Sequence, residues 1–85
     1  MKIFENIINH KIGTITGEEL LKYGKQFQIT ITKQQANKIA EYLRGKQVNI
    51  FNDEERSKIV KEIARIAGPD TARAVNKLFI QFTKA

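Results

Sequence analysis

Eighty-five residues, 41% hydrophobic and 28% charged, make one domain spanning 1–85, with a radius of gyration of roughly 12 Å and no room for a second core. Zero cysteines and a single histidine, His10, exclude a disulfide scaffold, a thiol nucleophile, zinc sites built on cysteine pairs and a histidine cluster within one chain. Fifteen Lys/Arg against nine Asp/Glu give +6, and no run approaches the roughly 20 apolar residues that a bilayer span needs. The opening segment has Glu5, Asn6 and Asn9 where a signal peptide needs an uninterrupted apolar run, so the chain reads as cytoplasmic.

Helical spacing of Ile3, Phe4, Ile7, Ile8 and Ile12 predicts a first helix over 2–12, ended by Gly13. Thr16 with Glu19 forms a capping box ahead of a helix over 17–26, which turns Leu20, Leu21, Gly24 and Phe27 inward. Gly24 either weakens that helix or admits a close neighbour. Thr32 with Gln35 repeats the box before a helix over 33–44, whose inner face is Ala36, Ile39, Ala40 and Leu43. Asn52 with Glu55 has the same spacing and opens a helix over 53–67, striped by Ile59, Val60, Ile63, Ile66 and Ala67. Gly68-Pro69 closes it and starts a fifth helix over 69–83, with Ala72, Val75, Leu78, Phe79 and Phe82 on one side. The expected fold is an all-α compact bundle.

Two connectors carry a short alternation of polar and β-branched residues, 28–32 and 48–52. Their lead-ins echo each other, GKQFQI against GKQVNI, twenty-one residues apart. The echo suggests two helix–loop–helix units sharing the third helix, with loops side by side and able to pair. A calcium reading of such loops fails, because Gln28, Thr30 and Thr32 stand where several carboxylates are needed.

Charge is uneven along the chain. Residues 1–19 carry a net of −1, residues 20–52 a net of +5 and residues 53–85 a net of +2. Most acids fall in first turns of the expected helices, where they offset the dipole. The excess of bases is either a solvated face or the footprint of an anionic partner. Lys22, Lys25, Lys38, Arg44 and Lys46, with Tyr23 and Tyr42 interleaved, would suit single-stranded nucleic acid. A helix-turn-helix across 60–78 would offer Arg73, Asn76 and Lys77, although Pro69 sits where its turn usually has an aliphatic residue.

Catalytic chemistry has little to stand on. His10 lies late in the first helix, Ser57 has no base marked beside it, and neither a GxxxxGK[ST] loop nor a GxGxxG fingerprint occurs. Both terminal helices are rich in large apolar residues for their length, an excess that either is buried within the chain or forms an apolar patch that dimerises or receives a partner helix. Ile80 lies off its helix's stripe, and Ile80 with Phe82 is the candidate protein interface. The bases are not aligned on one strongly amphipathic helix, which disfavours membrane-surface binding.

The segments LLKYGKQFQIT, ITKQQANKIAEYLRGKQVNIF and GPDTARAVNKLFIQF resemble a family of short uncharacterised proteins of Bacillus-type bacteria, a domain of unknown function. The resemblance runs from about Ile3 to Thr83, with LRGKQVNIF and GPDTA its most specific portions. Many such sequences have proline after the threonine preceding the second helix, where this chain has Gly17. The resemblance implies a cytosolic bacterial protein of helical fold and brings no catalytic or binding residues. The expectation is a non-enzymatic protein-interaction module without cofactor, acting on a protein partner or as a homodimer. The alternative is a small nucleic-acid-binding protein.

Overall fold

The computed structural model describes residues 2–83 as α1 (Lys2–Gly13), α2 (Gly17–Gln26), α3 (Lys33–Leu43), α4 (Asp53–Ala67) and α5 (Pro69–Thr83). Every expected helix is present, within one residue at either end. The domain is all-α, with no strand among the described residues.

Caps set the boundaries. Thr16 Oγ1 accepts from the Glu19 amide at 3.2 Å, and the Glu19 carboxylate accepts from the Thr16 amide at 3.1 Å. Thr32 and Gln35 close the same box at 3.1 and 3.0 Å. Such boxes satisfy helix N–H groups that have no partner inside the helix. Asn52 makes only half of one: its Oδ1 accepts from the Glu55 amide at 3.0 Å, while the Glu55 carboxylate takes the Asn49 amide at 3.2 Å. Glu55 thereby ties down the loop in front of its own helix.

The end of α2 is unusual. Gln28 sits at φ 58°, in the left-handed region, and the Ile29 amide donates to the Gly24 carbonyl at 2.7 Å. This is the Schellman arrangement, here with glutamine in the place that glycine normally takes. Gly24 serves as a close approach, since a Cβ there would stand 3.0 Å from the Ile29 carbonyl oxygen and 3.1 Å from Ile31.

Helix α3 is the central element, packed against α2 on one side and α4 on the other, while α4 packs along α5. All four of its expected core residues, Ala36, Ile39, Ala40 and Leu43, are buried. Ile59 and Ile63 of α4 and Ala72 and Phe79 of α5 complete the centre, joined from the loops by Ile15 and Ile50. The observed radius of gyration is 11.7 Å. Thr71, a buried polar side chain, donates to the Thr30 carbonyl at 2.9 Å and so anchors the first loop to α5.

Two expectations are corrected. Segments 28–32 and 48–52 do not pair, because their polar groups are engaged elsewhere. The first is held by the end of α2 and by Thr71; the second by Asn9, Glu55 and Arg56, whose Nη1 donates to the Ile50 carbonyl at 3.1 Å. Phe27, expected on the inner side of α2, is 40% exposed. Between burial and an exposed patch, both open for α1 from the sequence, the helix divides. Ile12 is buried and Ile8 half-buried, but Ile3, Phe4 and Ile7 are exposed.

Ile50 is fully buried in a loop that two flanking elements hold in place. Ile50→Ala should cost about 2–5 kcal/mol. Relieving the left-handed strain with Gln28→Gly should add about 1 kcal/mol. Urea unfolding at unchanged m-value measures both, the first lowering the midpoint and the second raising it.

Candidate interaction face

The basic candidates do not form one uniform surface. Lys22 and Lys25 stand one turn apart on the exposed side of α2, away from Gly17 and Gly24, whose Cα atoms face Asn37 and the 29–31 loop. On α3, Lys38 and Tyr42 are one turn apart, with Arg44 at its C-terminal cap and Lys46 in the following loop. Lys46 Nζ lies 4.4 Å from the Tyr42 ring centroid, a cation–π contact on the aromatic face that a nucleobase would need. Tyr42 is half-buried and packs against the core.

Acids interrupt this surface. A shallow depression between α3 and α4 gathers Lys38, Glu41 and Tyr42 with Glu62, Arg65 and Ile66. Glu62 pairs with Arg65, and that guanidinium holds its carboxyl below the usual carboxylate value, with Lys46 adding to the effect. The pattern alternates in sign. Arg73 and Lys77 lie one turn apart on the exposed side of α5, Arg73 at 3.6 Å from Asp70. Only Gly68 separates α4 from α5, at φ 93°, whereas a helix-turn-helix uses a turn of three or four residues.

His10 is exposed on the polar side of α1, and its backbone carbonyl accepts from Thr14 Oγ1 at 3.0 Å. Ser57 is exposed on α4. Of the apolar candidates, Ile80 is half-buried on α5, and the side chain of Phe82 lies outside the described residues.

Among the described residues, three of the four exposed large apolar side chains lie on the first half of α1. Ile3 is 77% exposed, Ile7 62% and Phe4 47%. Ile3 and Ile7 stand one turn apart and project as a ridge, with Phe4 beside them. Ile7 and Phe4 lead along the helix to Lys11 and Ile8, which border a cavity of about 340 Å3 between α1, α2 and α5. Leu20, Tyr23, Phe27 and Leu78 wall it, and it reaches inward to Ile39. Phe27 at its edge is 40% exposed. These four exposures equal a little over two large side chains left in water. Covering them is worth about 3–7 kcal/mol in gross transfer energy.

What sequence reasoning missed here was the division of α1. The signal was present: Ile3, Ile7, Phe4, Ile8 and Ile12 span an arc of the helix wider than one neighbour can cover.

At the cavity rim Lys11 of α1 pairs with Glu19 of α2. The Lys11 hydrogen bond chiefly, then the Thr16 amide, hold the Glu19 carboxyl below its ordinary value, while the Glu19 hydrogen bond raises Lys11. A depressed carboxyl stabilises the folded chain above its unfolded pKa of about 4.3 and stops doing so as pH falls through the folded value. The raised ammonium contributes below about 10.4 and loses its contribution as pH rises through its folded value. The α1–α2 link should therefore be intact between these limits and weaken in acid. Carboxyl-carbon NMR should place the Glu19 midpoint below about 4.3, with Lys11→Met moving it upward.

No solved structure matches the chain. A curated relative, "Uncharacterized protein YqfT" of Bacillus subtilis (strain 168), is 45% identical over 83 residues, covering 98% of this chain and 99% of the relative. A family model described as "Protein of unknown function (DUF2624)" matches residues 1–83. With both matches running through all five helices, the chain belongs to the DUF2624 family.

Proposed function

We propose that this protein is a non-enzymatic, cytoplasmic interaction module whose contact surface is the apolar face of α1 and the cavity beside it. One observation carries the reading: the helix that exposes Ile3 and Ile7 lines an open apolar cavity with its next turn, at Ile8 and Lys11. A monomer that needed neither would gain by polar residues in place of the ridge or by larger side chains filling the cavity. Exposed patches of this kind, adjoining a concave apolar site, are characteristic of protein contacts. The charge on the cavity rim is a paired Lys11 and Glu19, which suits an apolar rather than an ionic ligand. The basic surface supports nucleic-acid binding less well, because Lys46 occupies the Tyr42 ring and Glu41 and Glu62 sit among the bases.

The test places a photo-crosslinking amino acid at position 7 or 27, and at positions 38 and 77 as controls, in living cells. The expected result is a discrete protein adduct from 7 and 27. That protein, identified by mass, should bind the purified chain at 0.5 M salt and lose affinity at least tenfold for Ile7→Asp. Nucleic-acid adducts from 38 or 77, with amide shifts on adding mixed-sequence DNA or RNA that vanish at high salt, would replace the reading with the electrostatic one.

A further inference from the structure

We propose that the occupant of this face is a second copy of the chain, in a two-fold exchange that seats Ile3 and Ile7 of each protomer in the cavity of the other. The inference rests on the interaction-module reading and names its partner. Three observations select a second copy.

The first is shape. The ridge stands on α1 one turn before Ile8 and Lys11, which line the hole, so each copy carries both halves that a self-complementary two-fold contact requires. Exchange of adjacent ridge and hole closes at two protomers and leaves no ridge free to recruit a third. A dry cavity of about 150 Å3 accommodates a benzene ring. At about 340 Å3 this one has room for the two isoleucine side chains.

The second is charge. The whole chain carries +6, so two copies repel through most of their surfaces. Residues 1–19, which supply the ridge, carry a net of −1, and the cation at the cavity rim, Lys11, is paired with Glu19. The exchange therefore sets the −1 segment of one copy against a cavity wall that the +5 segment, 20–52, of the other supplies through Leu20, Tyr23 and Phe27.

The third is area. At 150–250 Å2 for a large side chain, the exposed fractions of Ile3, Phe4, Ile7 and Phe27 amount to roughly 400 Å2 of apolar surface per copy. Two copies supply roughly 800 Å2, and a homodimer interface about 65% apolar would then total roughly 1,200 Å2. That is the lower end for a specific protein contact. It suits a reversible dimer rather than an obligate one.

Sedimentation equilibrium of the purified full chain, from about 1 μM to 1 mM, reads the assembly directly. The expected result is a monomer–dimer equilibrium with a dissociation constant between about 1 and 100 μM, no weaker at 0.5 M salt than at 0.05 M, where like-charge repulsion is least screened. Ile7→Asp, at a position exposed in the monomer, should weaken it at least tenfold with unchanged circular dichroism. In a mixture of isotope-labelled and unlabelled protein, filtered NOEs should connect the Ile7 methyls of one protomer to the Phe27 ring of the other.

A dimer indifferent to Ile7→Asp, or without those NOEs, overturns the exchange. A chain monomeric to 1 mM also overturns it, and an Ile7 crosslink to a different protein would then leave the interaction-module reading standing. Failure of both the sedimentation and the crosslinking results would remove both proposals. Native mass spectrometry that finds an apolar small molecule retained in the cavity, with no dimer, would reassign the cavity to that ligand.

Discussion

The arrangement of the domain depends on how the Asn9 amide is used. Its Nδ2 donates to Asn49 Oδ1 at 3.0 Å, and its Oδ1 accepts from the Ile50 amide at 3.1 Å. Asn49 Oδ1 also accepts from the Phe51 amide at 3.0 Å, so two asparagine side chains satisfy a stretch of loop that has no strand partner. One turn on, the Gly13 carbonyl accepts from the Gly45 amide at 3.3 Å, and a Cβ on Gly13 would come within 3.1 Å of the Lys46 carbonyl oxygen. These contacts pin one side of α1 to the 45–50 loop and fix the rotation of the helix about its axis. With Asn9 and Gly13 on that loop, Ile8 and Ile12 point to the core, and Ile3 and Ile7 point away from it. The exposed ridge is thus a consequence of a polar anchor. Rolling α1 to bury the isoleucines would leave backbone groups of the loop unpaired, at about 1–3 kcal/mol for each one buried.

The same loop separates the charged surface from the apolar one. Lys46, immediately after Gly45, turns onto Tyr42 and toward Glu62, and so stays on the α3–α4 side of the molecule. Arg56, largely covered, spends its guanidinium on the Ile50 carbonyl and on Asp53. Arg65 and Lys11 are each committed to a glutamate. Part of the positive excess is therefore structural, neutralised locally or used to satisfy carbonyl groups. Its remaining exposed members are spread over separate helices, with Lys22 and Lys25 on α2, Lys38 on α3 and Lys77 on α5.

Much of the fold was legible in the sequence because its determinants are local. The capping threonines and Asn52, the Gly68-Pro69 junction and the 3.6-residue stripe of α3 each act within one helical turn, so reading them needs no knowledge of neighbours. Two features escaped for the opposite reason. Loops 28–32 and 48–52 share an apolar alternation, but what engages them is Thr71 in one case and Asn9 in the other, forty-one residues away for each bond. At the end of α2, whose bounds were legible, it was the left-handed turn at Gln28 that stayed unannounced for want of a glycine. In α1 the periodicity identified the helix correctly, yet could not say which part of a wide apolar arc would find a partner. The candidate face was hidden by that ambiguity, while Ile80, expected at an interface, is half-buried on α5.

The division of α1 also bears on its energetics. Its second half is held by Ile12, Asn9 and the Gly13–Gly45 bond, while in its first half Ile3, Phe4 and Ile7 keep about half or more of their surface in water. Isoleucine and phenylalanine are only middling helix formers, and a helix of this length has little stability of its own in water. A partner that covers the ridge would supply the packing that the domain withholds from this segment, and any ligand that binds only the folded form stabilises it by mass action. Contact at the ridge and order in α1 are then one equilibrium. The exposed isoleucines act as a surface because the Asn9 anchor keeps them from being core.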